Sequence, residues 1–134
     1  MITFTINESP VSINKLYFQP RGAKFKVLTP IGRAFKEKVY ECICNSLSSS
    51  DSTILANFEG MKLEAELTYN SNWFNKDGSI KKKDITNYEK AVMDSLFDAF
   101  KQKNLNIDDS QIFRFIMVKN ESKDESINIT LKLV

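Results

Sequence analysis

The residues best suited to chemistry lie between positions 81 and 112. Three lysines precede Asp84, which we expect to begin a helix, and the adjacent carboxylates Asp108 and Asp109 precede an apolar strand. Carboxylates at the ends of regular elements are typical ligands of a divalent metal ion, and cations beside them favour a phosphate backbone. Together these residues predict a metal-dependent enzyme that acts on nucleic acid.

Asn87, Lys90 and Asp94 follow Asp84 on the same predicted helix, at spacings i, i+3 and i+7. At 3.6 residues per turn their side chains fall within an arc of about 60°, opposite the apolar stripe. A solvated helix face alone would explain this pattern. The carboxylate at the helix start and the basic run before it favour a functional face instead.

The Asp108–Asp109 pair admits two interpretations. Adjacent carboxylates repel each other, so an exposed turn before the strand would explain them. Alternatively, one of the two faces Asp84 and shares a cation with it, which would offset the repulsion. The spacing in the chain is compatible with both interpretations.

Basic residues concentrate in two segments, although the net charge of the chain is only +2. Seven basic residues and one acidic residue lie between positions 15 and 38, and three lysines occupy positions 81–83. A solvated surface would explain isolated lysines, but two clusters that flank an acidic site indicate a nucleic-acid surface. Trp73 and Phe74, just before the second cluster, either stack on exposed bases or anchor their own loop.

Composition limits the other classes of function. The 134 residues, 42% of them hydrophobic and 27% charged, are expected to form one globular domain, residues 1–134. The absence of histidine excludes a histidine-based catalytic triad and argues against a zinc site. Cys42 and Cys44 are expected to be reduced thiols on a helix. With no apolar run that could span a bilayer and no signal-peptide pattern, we expect a cytoplasmic protein.

The hydrophobic pattern predicts an α+β fold in the order β-β-α-β-α-β-β, a mixed sheet with two helices packed on it. The predicted strands cover residues 2–6, 24–28, 61–69, 112–118 and 127–133. Thr29 and Pro30 are a typical helix start, and the second helix is predicted from Ile85 to Lys101. The serine-rich segment 46–52 is predicted to be a loop, and residues 119–126 a hairpin loop between the last two strands.

Three segments resemble, in order, those of the RusA family of Holliday-junction resolvases, small enzymes typical of phages and prophages. Residues 12–17 (SINKLY) with Arg21 resemble the N-terminal signature of the family, and residues 29–40 resemble its first helix. The pattern Asp84-x-x-Asn87-x-x-Lys90-x-x-x-Asp94, followed by Asp108-Asp109, resembles its catalytic core. The resemblance spans nearly the whole chain.

The resemblance implies that Asp84 and Asp109 are catalytic carboxylates that bind Mg²⁺, with Mn²⁺ as an alternative, and that Lys90 is the catalytic lysine. The family pattern has a second aspartate where this chain has Thr86, a weaker ligand, so Asp94, Asp108 or an extra water would complete the coordination. Asn87 and Asp94 fall on recurrent polar positions of the family. DNA binding is expected from Asn14, Tyr17, Arg21, Lys24, Lys26, Lys81, Lys82 and Lys83.

The predicted function is a Mg²⁺-dependent endodeoxyribonuclease of recombination and repair that resolves four-way DNA junctions by paired nicks. A homodimer would supply the two equivalent sites that a two-fold symmetric junction requires, and no small-molecule cofactor is expected. Thr86 leaves open a catalytically weakened protein of the same fold that binds junctions or regulates. A broader nuclease for flaps and forks is a third possibility.

Overall fold

Four strands form a mixed sheet, and helices pack on one of its faces. The computed structural model describes residues 1–134, apart from the side chain of Ser49. The strands are β1 (Ile2–Ile6), β2 (Tyr17–Phe18), β3 (Val27–Leu28), β4 (Leu63–Ser71), β5 (Ile112–Glu121) and β6 (Ser126–Leu133). The helices are α1 (Ile13–Leu16), α2 (Pro30–Ser46), α3 (Ser49–Ala56) and α4 (Glu89–Gln102), with 3₁₀ turns at Ile85–Asn87 and Asp109–Gln111. The predicted α+β class is confirmed.

The order of strands in the sheet is β1-β6-β4-β5, with the short strands β2 and β3 paired in a separate ribbon. β4 is antiparallel to β6 and parallel to β5, and β6 is antiparallel to β1. β5 is therefore an edge strand, whereas β4 has a neighbour on each side. The two helices α2 and α4 lie against each other over the sheet.

Alternation of apolar residues along the strands builds the core, as the sequence predicts. In β1, Ile2, Phe4 and Ile6 are buried while the residues between them are exposed. Corresponding apolar residues of β4 and β6 share that face, because side chains alternate across a strand. The opposite face of the sheet is polar: the Asn70 carboxamide donates to Asn128 at 2.7 Å and accepts from Asn120 at 2.8 Å, which joins three strands.

The first residues of α2 and its N-cap contact the end of α1 and hold that segment in place. Thr29 is the N-cap, whose hydroxyl accepts from the Gly32 amide at 2.9 Å and donates to the Lys15 carbonyl at 2.6 Å. Pro30 is the first helical residue, as predicted. A Cβ atom on Gly32 would lie only 2.3 Å from the Leu16 carbonyl oxygen. Glycine at this position therefore allows α1 and α2 to approach each other closely.

Two predictions about connections are wrong. The serine-rich segment 46–52 is helical in large part, because α2 extends to Ser46 and α3 begins directly after Ser48. Ser48 and Asp51 form a capping box, which satisfies backbone donors at the start of α3. Residues 119–126 do not form a hairpin loop, since β4 lies between β5 and β6 in the sheet.

Two predicted element boundaries also differ. The second helix is regular only from Glu89, and a 3₁₀ turn occupies Ile85–Asn87, so Asn87 precedes the α-helix that carries Lys90. The strand predicted at 24–28 is reduced to Val27–Leu28, which pairs with Tyr17–Phe18.

Candidate active site

A cleft of about 1140 Å³ opens where the N-terminal segment meets the loop before α4. Its lining includes Asn14 and Lys15 from one side, and the lysines 81–83, Asp84 and Asn87 from the other. The cleft thus joins residues from both ends of the motif pattern. Its basic walls around one carboxylate suit a phosphate group beside a cation.

Asp84 is an exposed carboxylate at the start of the 3₁₀ turn. Its side chain does not cap the turn, and it forms no hydrogen bond or ion pair with the residues that the structure describes. The preceding carbonyl, that of Lys83, accepts a hydrogen bond from the Lys119 ammonium, which ties this loop to β5. The backbone around Asp84 is thus held in place, while its carboxylate oxygens are unpaired among the described residues. Thr86, within the turn, is exposed as well.

Lys90 and Asp94 form an ion pair across one turn of α4, with Nζ and Oδ2 3.4 Å apart. Asp94 raises the pKa of Lys90, through its charge and through a hydrogen bond. Burial and the Asp94 charge raise the pKa of Tyr17, while the Lys90 charge lowers it. The three side chains are therefore neighbours, and they connect the N-terminal signature to α4.

Asp108 and Asp109 differ in their surroundings. Asp108 Oδ1 accepts from the Ser110 amide at 2.9 Å, and its own amide donates to Gln111 at 3.0 Å, so Asp108 caps the second 3₁₀ turn. Asp109 is exposed, and its carboxylate has no hydrogen-bond or ion-pair partner in the part of the chain that the structure describes. Both line a smaller cleft of about 360 Å³, together with Asp94, Asp98 and Lys36.

The structure does not bring Asp84 and Asp109 together within one chain. Asp109 lies just before the start of β5. Asp84 lies near the other end of that strand, because the carbonyl of the preceding residue, Lys83, accepts a hydrogen bond from Lys119. The seven residue-to-residue steps from Ile112 to Lys119 span about 23 Å at roughly 3.3 Å per step. Among the described residues, no group of three or more acidic, cysteine or histidine side chains could hold a metal ion. A single chain therefore does not present the expected ligand set.

Trp73 is a loop anchor, which decides between the two interpretations for this residue. Its side chain is buried, and its indole N–H donates to the Tyr69 carbonyl at 3.0 Å. Its ring packs edge-on against Tyr88, with Lys119 Nζ 4.9 Å from the ring centre. Phe74 is exposed, so only this member of the pair could meet a ligand directly.

The predicted DNA-binding residues occupy two neighbouring places. Asn14, Lys82 and Lys83 are exposed on the cleft and Lys81 is half-buried there. Arg21, Lys24 and Lys26 are exposed on the β2–β3 ribbon, and Tyr17 is half-buried at its base.

Two groups near the site have no counterpart in the sequence prediction. Glu89 begins α4 half-buried, and burial raises the pKa of its carboxyl group. The Tyr69 hydroxyl is fully buried without a hydrogen-bond partner among the described residues, and burial, followed by the Glu89 charge, raises its pKa. No motif signals either residue, because their environment is made by the packing of α4 on β4. The exposed rings of Phe18 and Phe25 are likewise outside the sequence prediction, although the position of Phe25 between Lys24 and Lys26 is visible in the sequence.

Comparison with protein families decides the assignment. The family model described as endodeoxyribonuclease RusA matches residues 9–132. This chain belongs to the RusA family. Members are endodeoxyribonucleases that act on Holliday junctions, so RusA membership implies nuclease activity on branched DNA. Among curated proteins, none matches this chain. No described helix is long and apolar enough to cross a membrane.

Proposed function

We propose that this RusA-family chain is a Mg²⁺- or Mn²⁺-dependent endonuclease that resolves four-way DNA junctions, as a homodimer, by paired nicks in recombination and repair. The observation that carries the proposal is the cleft in which the unpartnered Asp84 carboxylate lies among Lys81, Lys82 and Lys83. The lysines would hold the DNA backbone without reading its sequence. The carboxylate would then lie beside a bound phosphate.

The exposed edge of β5 supports a dimer. β5 is ten residues long, and none of the strands that the structure describes pairs with its outer edge. Phe113 is 65% exposed and Phe115 39% exposed on this strand. A long edge strand with exposed apolar side chains is a ready template for pairing with another chain. A second copy is the partner that family chemistry requires, since a two-fold junction needs two equivalent sites.

Antiparallel pairing of two β5 strands would also explain why Asp84 and Asp109 lie apart in one chain. Around a two-fold axis near Phe115, residue 109 of one protomer would lie beside residue 121 of its partner, near the end of β5 where the Lys83 carbonyl contacts Lys119. The Asp109 carboxylate of one protomer would thus approach the Asp84 cleft of the other. We call this pairing of Asp84 with the partner's Asp109 the composite site.

The donors of the composite site fit Mg²⁺ or Mn²⁺, because both metals prefer carboxylate oxygen ligands. Asp84 and Asp109 would hold the ion, with Asp108, Thr86, Asn87 or Asp94 as further candidates. A bound ion supplies Lewis-acid polarisation of the scissile phosphate and a lowered pKa of the attacking water. Lys90, which pairs with Asp94, would stabilise charge that develops on the phosphate oxygens.

The proposal is tested by incubating the protein with a labelled four-way junction and Mg²⁺. Nicks at symmetric positions on opposed strands are expected. Asp109→Asn should keep junction binding and lose nicking, whereas Asp124→Asn, an exposed carboxylate beyond the end of β5, should keep both. Unchanged nicking by Asp109→Asn would remove this residue from the mechanism.

One observation favours a second candidate, a junction-binding protein without cleavage. Thr86 places an uncharged hydroxyl where the family pattern has a carboxylate, which would weaken metal binding. That candidate predicts a shifted but intact junction in the same assay, with any tested concentration of Mg²⁺ or Mn²⁺. Flaps and forks in the substrate panel test for a broader nuclease.

A further inference from the structure

The β2–β3 ribbon projects beside the cleft and has its own chemistry. We call residues 17–28 the tongue. It reverses direction in a turn that the Ala23 amide closes on the Pro20 carbonyl at 3.0 Å, with Gly22 at φ 80°. The Gln19 carboxamide braces the turn by donating to the Ala23 carbonyl at 2.7 Å. A positive φ is the conformation that glycine adopts without strain, so the turn is well suited to its sequence.

The tongue carries an aromatic ring that is not buried in the core. Phe25 is 67% exposed, and Phe18 is 48% exposed on the facing strand. A single exposed apolar residue needs no explanation. Here, however, Lys24 and Lys26 flank the exposed ring directly, and Arg21 lies within the turn.

The charged residues of the tongue are all of one sign. No acidic residue occurs between positions 9 and 36, and the tongue lies wholly within that segment. None of its three cations forms an ion pair with the residues that the structure describes. An exposed aromatic ring among unpaired cations matches the chemistry of single-stranded nucleic acid, in which phosphates alternate with stackable bases.

The base of the tongue is fixed at the rim of the active-site cleft. Lys15 and Ile31, on either side of the tongue in sequence, both line that cleft. The Thr29 amide donates to the Leu16 carbonyl at 2.8 Å, which ties the two ends of the tongue together. A DNA strand whose phosphate lies near Asp84 would therefore pass the tongue as it leaves the cleft.

From this geometry we propose that Phe25 stacks on an unpaired base at the branch point of the bound junction, while Lys24, Lys26 and Arg21 hold the adjoining phosphates. The inference deepens the proposed function and depends on it, since the base becomes unpaired only when a pair at the branch point of a bound junction opens. Stacking is tolerant of sequence because every base offers a π face. Trp73, the other aromatic considered for this role, is buried and cannot reach a base without loop rearrangement.

The test uses a four-way junction with 2-aminopurine at a branch-point position, bound in EDTA so that nicking plays no part. Fluorescence of 2-aminopurine reports stacking directly. Wild-type protein is expected to change the fluorescence of the branch-point base. Phe25→Ala and Phe25→Leu should lose that change and bind the junction about 5- to 100-fold more weakly, whereas Phe25→Tyr should keep both.

Three variants of one exposed residue separate an aromatic contact from an apolar one, and circular dichroism checks that each variant folds. If Phe25→Leu behaves as wild type, the ring does not stack and the proposal is overturned. If all three variants keep the fluorescence change, Phe25 does not contact the base, while junction binding itself stands. If wild-type protein does not bind the junction, the proposed function fails together with the stacking.

Discussion

The proposed composite site can be tested by mixing two variants, each of which is expected to be inactive alone. In Asp84→Asn, each site of a homodimer lacks the helix-side carboxylate, and in Asp109→Asn each site lacks the strand-side carboxylate. In the mixed dimer, the Asp84→Asn protomer still contributes its Asp109, and its partner still contributes Asp84. One of the two sites is then intact. If both carboxylates came from one chain, the mixed dimer would have no intact site.

The expected recovery follows from counting. Random exchange of subunits at equal concentrations gives about half mixed dimers, each with one of two sites intact, so about a quarter of the wild-type sites return. Mixed dimers purified through two different affinity tags should reach about half of the wild-type nicking rate. Because one intact site cuts one strand, the product should be a nicked junction and not a pair of resolved duplexes.

A control dimer should give the opposite result, namely no nicking. Wild-type protein paired with the Asp84→Asn, Asp109→Asn double variant has no intact composite site, because each site then contains one substituted residue. The purified mixed dimer should therefore be inactive, although it contains one complete wild-type chain. Nicking by this dimer, together with no recovery in the first mixture, would refute the assembly of the site across the dimer.

Three further predictions concern the fold and the lysine. Gly32→Ala should destabilise the protein by about 1–3 kcal/mol in urea unfolding, because the new Cβ would lie 2.3 Å from a backbone oxygen; a stabilised variant would show that α1 and α2 separate freely. Asp94→Asn should lower the pKa of Lys90, because the Asp94 charge and hydrogen bond raise it in the wild type. In an NMR titration the variant should therefore lose the charge on Lys90 at a lower pH than the wild type does; an unchanged titration would contradict the ion pair. Tyr69→Phe should raise the free energy of unfolding by about 1 kcal/mol, since it removes a buried hydroxyl that has no partner among the described groups; a clear loss of stability would indicate a hydrogen bond at that hydroxyl.

Local patterns predicted most of the elements of this fold. Alternation identified the buried faces of β1, β4 and β6, and the Thr29–Pro30 pair located the start of α2. The prediction omits α3, because a serine-rich composition favours a loop. Ser48 followed by Asp51 is a capping-box spacing, so the signal was present in the sequence.

Strand neighbours were harder to predict because they depend on contacts far apart in the chain. β5 and β6 are consecutive, and their short polar connection resembles a hairpin loop. Yet β4 pairs with both of them, as the registers Leu63 with Ile112 and Leu63 with Leu133 demonstrate. No local pattern in residues 119–126 distinguishes a hairpin from a connection that crosses the end of a third strand.

The candidate site was predicted in part. The spacing predicts that Lys90 and Asp94 share a helix face, and in the structure their side chains form an ion pair at 3.4 Å. The sequence could not place Asp84 relative to Asp109, because that distance depends on the length and direction of β5 between them. Nor could it distinguish the roles of Trp73 and Phe74, since only packing against Tyr69 and Tyr88 determines which ring is buried.

The central position of β4 has a consequence for how the chain folds during synthesis. Both neighbours of β4 are made at least 40 residues later, so while the ribosome elongates the middle of the protein this apolar strand has nothing to pair with. Contacts so distant in sequence are slow to form, and an unpaired strand is prone to aggregate. Translation that stops before residue 112 would release a product unable to complete its sheet.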